Sequence, residues 1–283
     1  MKHFGIPMVS TIHHPASVDR DIDVKNAKGW WQKSKMIRWY SFLPMQRFVA
    51  RRMDRIVTVS YNSADDTSRL FKIPRDKFRV VHNGVDTDLF ERDESVPKEP
   101  NSLIVVGGHS PLKGLAYLLG AIRLLRGERE LRLTVVGGPP DGKYSPGLVR
   151  DYGLQDVVTF TGRISPEELV KRYSASEVAV VPSLYEGFGF PAAEAMSCGI
   201  PVISTTAGAL PEVVGPDGEA GMLVPPGDSE ALAGAIRRLM ADDLMRKRMG
   251  EAARKRVESL FTWEEAAMKT VAVYEEARAD VHH

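Results

Sequence analysis

Short apolar runs alternate with longer segments along most of this chain. The short runs are rich in valine, isoleucine and leucine, and they stop at glycine, proline or polar residues. Such runs read as strands buried on both faces of a parallel sheet. In the first third they are Ile6–Ile12, Arg55–Ser60 and Phe78–Val81. Further on they are Leu103–Gly107, Leu131–Val136, Val157–Phe160, Val178–Val181, Val202–Ser204 and Met222–Val224. The segments between them read as helices, among them Ser63–Phe71, Ser229–Met240 and Asp242–Ser259. One helix opens at Ser165-Pro166-Glu167-Glu168, a capping box with proline at the first helical position. A last one opens at the similar Thr262-Trp263-Glu264-Glu265. Strand and helix in strict alternation is the pattern of a parallel sheet covered by helices, an α/β fold. Glu91 to Pro100 breaks the pattern: it is charged, has two prolines and lacks apolar periodicity, so it reads as an interdomain linker. The expected division is 1–95, 96–260 and a final helical segment, 261–283.

Composition adds only bounds. A length of 283 residues suits one or two domains. Hydrophobic residues at 43% and charged residues at 27% are ordinary for a globular protein, and a net charge of +1 carries no global signal for a polyanion. Cys198 is the single cysteine, which excludes an internal disulfide; its place at a helix end suits a small buried residue. No stretch is long and apolar enough to span a bilayer, and Met1 to Ser10 lacks the apolar core of a signal peptide. A cytoplasmic location is the resulting expectation.

Charge is uneven locally. Lys25 to Arg55 holds nine basic residues (Lys25, Lys28, Lys33, Lys35, Arg38, Arg47, Arg51, Arg52, Arg55) against one acid, Asp54. Trp30, Trp31, Trp39, Tyr40 and Phe42 are interleaved with them, and Pro44 is expected to part the segment into two helices. Two readings stand. The aromatic rings pack inward beneath a solvated basic face, or residues 25–55 make peripheral contact with an anionic membrane surface. No nucleic-acid-binding motif accompanies the segment, so nucleic acid is not an expected partner.

The stretch Val178 to Pro201 concentrates the candidate chemistry. A strand runs into Leu184-Tyr185-Glu186-Gly187-Phe188-Gly189, then into a helix at Phe190-Pro191 that ends at Cys198-Gly199. Gly187 and Gly189 permit close backbone approach to a ligand. A helix N-terminus offers free N–H groups and a positive dipole end, which suit phosphate. Glu186 and Glu194 flank that loop. Carboxylates repel phosphate, so their expected partners are hydroxyls of a sugar or ribose.

The string Glu186-Gly187-Phe188-Gly189-Phe190-Pro191-Ala192-Ala193-Glu194, continued through Gly208-Ala209-Leu210-Pro211-Glu212 and Gly221-Met222-Leu223-Val224-Pro225, resembles the signature of retaining glycosyltransferases of family 4. The likeness extends over nearly the whole chain from about Ile6. It implies the GT-B fold: two Rossmann-like domains, with a six-stranded parallel sheet in the C-terminal one and a last helix that crosses back to the N-terminal one. In that family the strand matched by Ile6–Ile12 comes midway through the N-terminal domain. The expectation is therefore an incomplete N-terminal domain whose first strand lacks neighbours and is prone to association. The chain would be a fragment, a mis-started frame or one half of a split enzyme.

The resemblance also implies roles. Val105-Val106-Gly107-Gly108-His109-Ser110-Pro111-Leu112-Lys113-Gly114 matches the family's phosphate-binding loop, with Lys113 as the lysine that pairs with the donor diphosphate. It is neither a dinucleotide fingerprint nor a Walker loop. Gly108 stands where the family usually has arginine, so one phosphate clamp is missing, and Arg163 is weighed as its replacement. Glu194 would accept from ribose hydroxyls and Glu186 from hydroxyls of the donor sugar. Backbone N–H groups of Gly187, Phe188, Gly189 and Phe190 would support sugar and phosphate. Ile164 would lie beside the nucleobase, and Leu210 would belong to the donor pocket. His13 matches a histidine that reaches the donor from the N-terminal domain; as a plain polar strand end it would need no role. His82-Asn83-Gly84-Val85-Asp86 resembles a family turn that has proline in place of His82.

No Asp-x-Asp pair stands at a strand end beside the loop, so neither a metal nor a cofactor is expected; the nucleoside-diphosphate sugar is a substrate. The implied reaction is sugar transfer to an unknown acceptor with retained anomeric configuration. The alternatives are a nucleotide-sugar-binding module without activity of its own and, less consistent with the Glu186–Glu194 string, another GT-B enzyme such as an epimerase or phosphorylase.

Overall fold

The structure is a computed structural model that describes residues 6–27, 29–108, 110–137 and 144–280, with Asn26 and Tyr144 given by their backbone alone. Lys28 and His109, both part of segments weighed above, lie outside the described residues. The chain divides into two units, residues 1–84 with 263–283, and residues 85–262.

The first unit opens with β1 (Val9–Thr11), followed by α1 (Ala16–Asn26), α2 (Trp30–Trp39), α3 (Leu43–Ala50), β2 (Arg55–Thr58), α4 (Tyr61–Phe71) and β3 (Phe78–Val80). Its three strands form a parallel sheet in the order β1-β2-β3. Ile12, Ile56, Phe71 and Phe78 share one apolar cluster under it. The C-terminal helix (Trp263–Ala279) belongs to this unit, where Ala266 and Val273 bury Val57 and Val81 on the other sheet face. Burial on both faces explains why Ile56-Val57 reads as a continuous apolar run.

Two expectations for this unit need correction, and one helix was unforeseen. β1 has a neighbour, pairing Val9 with Arg55 of β2, although it is shorter than the apolar run. Pro7 brings no N–H to the ladder, and the Met8 N–H goes instead to Asp54 Oδ2 at 2.7 Å. The acidic stretch before Lys25 forms a helix, α1, that apolar periodicity did not reveal. Finally, the tryptophans of 25–55 do not pack inward: Trp30, Trp31 and Trp39 are 69%, 72% and 74% exposed, and Met45, Phe48 and Val49 are exposed on α3, while Tyr40 is half-buried and donates to Asp23. Pro44 stands in the first turn of α3, where its missing N–H costs no helical bond.

The second unit runs β4 (Ser102–Val106), α5 (Leu115–Leu124), β5 (Arg132–Val136), α6 (Tyr144–Tyr152), β6 (Val158–Gly162), α7 (Pro166–Ala175), β7 (Val178–Val181), α8 (Phe190–Ser197), β8 (Val202–Thr205), α9 (Leu210–Val214), β9 (Gly221–Val224), α10 (Ser229–Ala241) and α11 (Asp243–Leu260). The six strands form one sheet, all pairs parallel, in the order β6-β5-β4-β7-β8-β9. Caps start the helices where the polar residues stand. Ser165 accepts from the Glu168 N–H, and Asp228 and Asp242 accept from Ala231 and Met245. Cys198 is fully buried, and burial pushes its thiol up to about 12, so it is inert packing.

Residues 91–100 are not a free linker. Asp93 N–H donates to Ser174 Oγ at 2.9 Å, Glu99 N–H to Ala175 O at 2.8 Å, and Lys98 Nζ to Ser176 O. The segment is laid along the end of α7, inside the second unit. Its backbone bonds go to partners some 80 positions away, a pairing that periodicity does not encode.

Candidate functional site

Two consecutive connections leave β4 in opposite directions, first toward β5 and β6, then back across to β7. In an open α/β sheet this reversal leaves a crevice outside the carboxyl ends of the two central strands, where ligands bind. The loop after β4 carries Lys113, and the loop after β7 carries Glu186. These residues are 73 positions apart, and they meet: Lys113 Nζ is 2.7 Å from Glu186 Oε1. Ser183 Oγ donates to the same Oε1 at 2.8 Å. The lysine and glutamate side chains are 26% and 11% exposed, so the pair is held in a partly desolvated place.

Glycines set these distances. Gly114, at φ +67°, lies so close to the β7 loop that a Cβ there would be 1.8 Å from Pro182 O. The Leu184 N–H donates to Leu112 O at 2.8 Å across the same contact. Gly208, at φ +60°, comes equally close to Glu186, where a Cβ would lie 2.1 Å from its carbonyl oxygen. There the Ala209 N–H donates to Glu186 O at 2.9 Å. Thr205 Oγ1 ties the end of β8 to Ser183 O at 2.6 Å. Three loops, after β4, β7 and β8, are thus locked around the Glu186 carboxylate.

α8 begins beside it. Gly189 takes φ +104°, and Pro191 occupies the first turn. Phe188 is buried against Phe190 and Phe261, which holds the backbone of the turn. Glu194 lies one turn into α8. Its Oε2 accepts from Tyr173 OH at 3.3 Å. Burial raises the Glu194 carboxyl above its ordinary value, and the Tyr173 hydrogen bond opposes that shift.

Not every residue singled out from sequence has its side chain here. Leu210 is fully buried, with Cδ2 positioned so that a Cβ on Gly189 would meet it at 2.7 Å. It supports the turn from beneath and has no exposed surface to offer a donor. Gly108 is not an empty place awaiting a clamp. A Cβ there would sit 2.8 Å from Val135 Cγ1 and 3.1 Å from Leu115 Cδ2, and its carbonyl accepts from Ser145 Oγ at 2.6 Å. Arg163 is exposed and Ile164 half-buried just past β6, the edge strand. Among the described residues, no hydrogen bond or ion pair joins Arg163 to Lys113 or Glu186. His13 is exposed at the end of β1, in the first unit, and His14 pairs with Asp19 of α1 at 2.6 Å. Ser183 and Tyr173 were missed. Pro182-Ser183 ends a strand like many others, and Tyr173 falls on the buried face of α7, where an aromatic reads as core.

Two clefts lie elsewhere, at the amino ends of the strands. One runs along residues 126–132, and the other includes Lys98, Cys198 and Arg246. Several of their charges are ion-paired: Glu128 with Arg237, Arg126 with Asp156 and Arg246 with Glu177.

A parallel sheet with this strand order and a lysine–carboxylate pair beside a helix N-terminus at its switch point defines a doubly wound α/β protein with a ligand-binding crevice, and comparison with known families gives its class. The model described as "Glycosyl transferases group 1" matches residues 86–256, and that described as "Glycosyltransferase Family 4" matches residues 1–89. The chain belongs to the group 1 glycosyl transferases. It is 41% identical over 278 residues to the MMP alpha-(1->4)-mannosyltransferase of Mycolicibacterium hassiacum, covering 98% of this chain and 67% of that one. It is 35% identical over 242 residues to the D-inositol 3-phosphate glycosyltransferase of Streptomyces avermitilis, covering 78% of this chain and 51% of that one. Among solved structures, the sucrose-phosphate synthase of Thermosynechococcus elongatus superposes with a TM-score of 0.80 at 30% identity, over 96% of this chain and 68% of that one. The chain thus spans between half and about two thirds of the length of these relatives.

Proposed function

We propose that this chain holds the donor site of a retaining glycosyltransferase, which moves a hexosyl group from a nucleoside-diphosphate sugar to an acceptor hydroxyl. The observation that carries the reading is the meeting of Lys113 and Glu186 at the switch point of the sheet. Lys113 is the cation for the diphosphate, and Glu186 is its counterion while the site holds no donor. On binding, phosphate oxygens take over the lysine, and Glu186, still oriented by Ser183, accepts from sugar hydroxyls. Glu194 takes the ribose hydroxyls. The names of the relatives, a mannosyltransferase and an inositol-phosphate glycosyltransferase, support sugar transfer.

The reaction breaks the bond from the anomeric carbon to the diphosphate oxygen, and the electron pair leaves with the diphosphate. The acceptor oxygen bonds to the same carbon from the same face, and its proton passes to the departing phosphate. Negative charge therefore builds where Lys113 and the N-terminus of α8 are already placed, and no reorganisation is needed at the moment of transfer. Both carboxylates are committed to hydroxyls, which favours this path over attack by a protein nucleophile.

Thermal-shift titration with UDP, GDP and ADP tests the site. One nucleotide is expected to stabilise the chain, by ~2.7 kcal/mol at a hundred times its Kd. Glu194→Ala should chiefly weaken nucleotide binding, and Lys113→Ala should slow transfer. A cooperative melt that none of the three nucleotides shifts would overturn the assignment.

A second reading rests on the exposed rings. Trp30, Trp31, Trp39, Phe48 and Met45 stand in solvent among Lys33, Lys35, Arg38, Arg47 and Arg52, and Arg52 stacks on Phe48 with its guanidinium 3.4 Å from the ring centre. Aromatic and aliphatic groups mixed with cations suit the headgroup region of an anionic bilayer. No described helix is long and apolar enough to cross a membrane, so this contact would be peripheral. Co-sedimentation with phosphatidylglycerol vesicles, and none with phosphatidylcholine, is the expected result. Absence of binding to either at low salt removes the idea.

A further inference from the structure

Glu194 is held by a residue from a different helix. Tyr173, near the end of α7, is 1% exposed, and its hydroxyl is 3.3 Å from Glu194 Oε2 and 3.2 Å from the carbonyl oxygen of Pro191. Burial and the neighbouring carboxylate push the phenol well above its ordinary value, so the hydroxyl keeps its proton and stays a donor. It has one proton for two acceptors, and both acceptors lie on the first turns of α8. The hydroxyl therefore bridges the carboxylate to the backbone of its own helix. That leaves Glu194 Oε1 without a hydrogen-bond partner among the described residues.

From this geometry we infer that Tyr173 is a positioning residue that makes the site selective for a nucleotide with an intact ribose diol. The inference rests on the reading of Glu194 as the ribose acceptor. Two vicinal hydroxyls need a carboxylate that is ionised and has a fixed plane. The phenol contributes to both conditions. Its donation favours the charged form against the burial of the site, and its anchor at Pro191 restricts rotation of the carboxylate. No other described residue donates a hydrogen bond to the Glu194 carboxylate.

The test compares Kd values for UDP, GDP and ADP with those of their 2′-deoxy forms, across pH 5 to 8. Wild-type protein, Glu194→Gln and Tyr173→Phe are measured in parallel. Phenylalanine keeps the buried ring and removes one oxygen. Tyr173→Met removes the same donor and serves if phenylalanine does not fold. The wild type should prefer the ribonucleotide about tenfold, and Glu194→Gln should abolish the preference. Tyr173→Phe should reduce the preference severalfold and move the pH at which affinity falls upward, because removing the donor raises the Glu194 pKa. If Tyr173→Phe lowers stability yet keeps the wild-type preference and pH midpoint, the residue is only packing and the inference is overturned. If wild type shows no preference, or Glu194→Gln keeps it, the ribose reading of Glu194 itself fails and the inference falls with it.

Discussion

Lys98 shows what burial does to a single charge. It lies in the stretch along α7, donates to Ser176 O, and has its pKa lowered to about 8, first by burial and then by Arg92. In the unfolded chain the value returns to about 10.4. The folded form thus binds fewer protons between those values. The stabilising contribution is complete above the unfolded value and is lost as pH falls through about 8. Replacing the ammonium by Lys98→Met should remove this dependence. Measured as the difference between the two proteins, wild type should gain on the order of 2 kcal/mol between pH 8 and 10.5. The buried Cys198 thiol works in the opposite direction above its unfolded value and interacts with Lys98, so the two proteins are compared with Cys198 replaced by alanine in both. None of this was legible in Glu91 to Pro100 read alone, where Lys98 is one more charge in a charged run. By contrast, Glu186, Glu194 and Lys113 could be named from their neighbours in sequence, since glycine and helix-start signals mark the loops that carry them.

At the scale of elements, the site depends on how closely loops approach. Gly114 and Gly153 have nearly the same backbone, φ +67° and +68°, but different surroundings. A Cβ on Gly153 would meet nothing within 4 Å, whereas one on Gly114 would collide with Pro182 O. Gly153→Ala should therefore cost only the left-handed strain, about 1 kcal/mol. Gly114→Ala should cost more than about 2 kcal/mol, because the β4 loop must also lift off the β7 loop. It should abolish nucleotide stabilisation as well, since Lys113 moves with that loop. Chemical denaturation of both variants, with and without nucleotide, gives the comparison. The same close approach is seen at Gly108 and Leu210. The space a side chain at position 108 would take is filled by Val135 and Leu115, and Leu210 packs against Gly189.

At the scale of the molecule, each unit has its own core and its own fasteners. In the first unit the C-terminal helix is clamped to the sheet by Glu276, which pairs with Arg55 at 3.0 Å and accepts from Arg79 Nε at 2.7 Å. Those guanidiniums hold the Glu276 carboxyl below its ordinary range, Arg79 contributing most. A carboxylate lowered in the folded state stabilises above its unfolded pKa, and that contribution is lost as pH falls through the folded value. Glu276→Gln should therefore flatten the acid limb of the stability curve, and raised salt should weaken the wild-type effect because the pair is partly exposed. Local pattern was enough for the α/β class, for most strands and helices, and for naming the loops that carry Lys113, Glu186 and Glu194. Those properties depend on neighbours a few positions apart, through side-chain periodicity and the backbone freedom of glycine and proline. The order of the strands, the Lys113–Glu186 and Tyr173–Glu194 contacts, the exposure of the tryptophans and the docking of residues 91–100 depend on which distant segments lie side by side. They were decided by the three-dimensional packing, because a side chain's partner and its access to water are set by the space the rest of the fold leaves it.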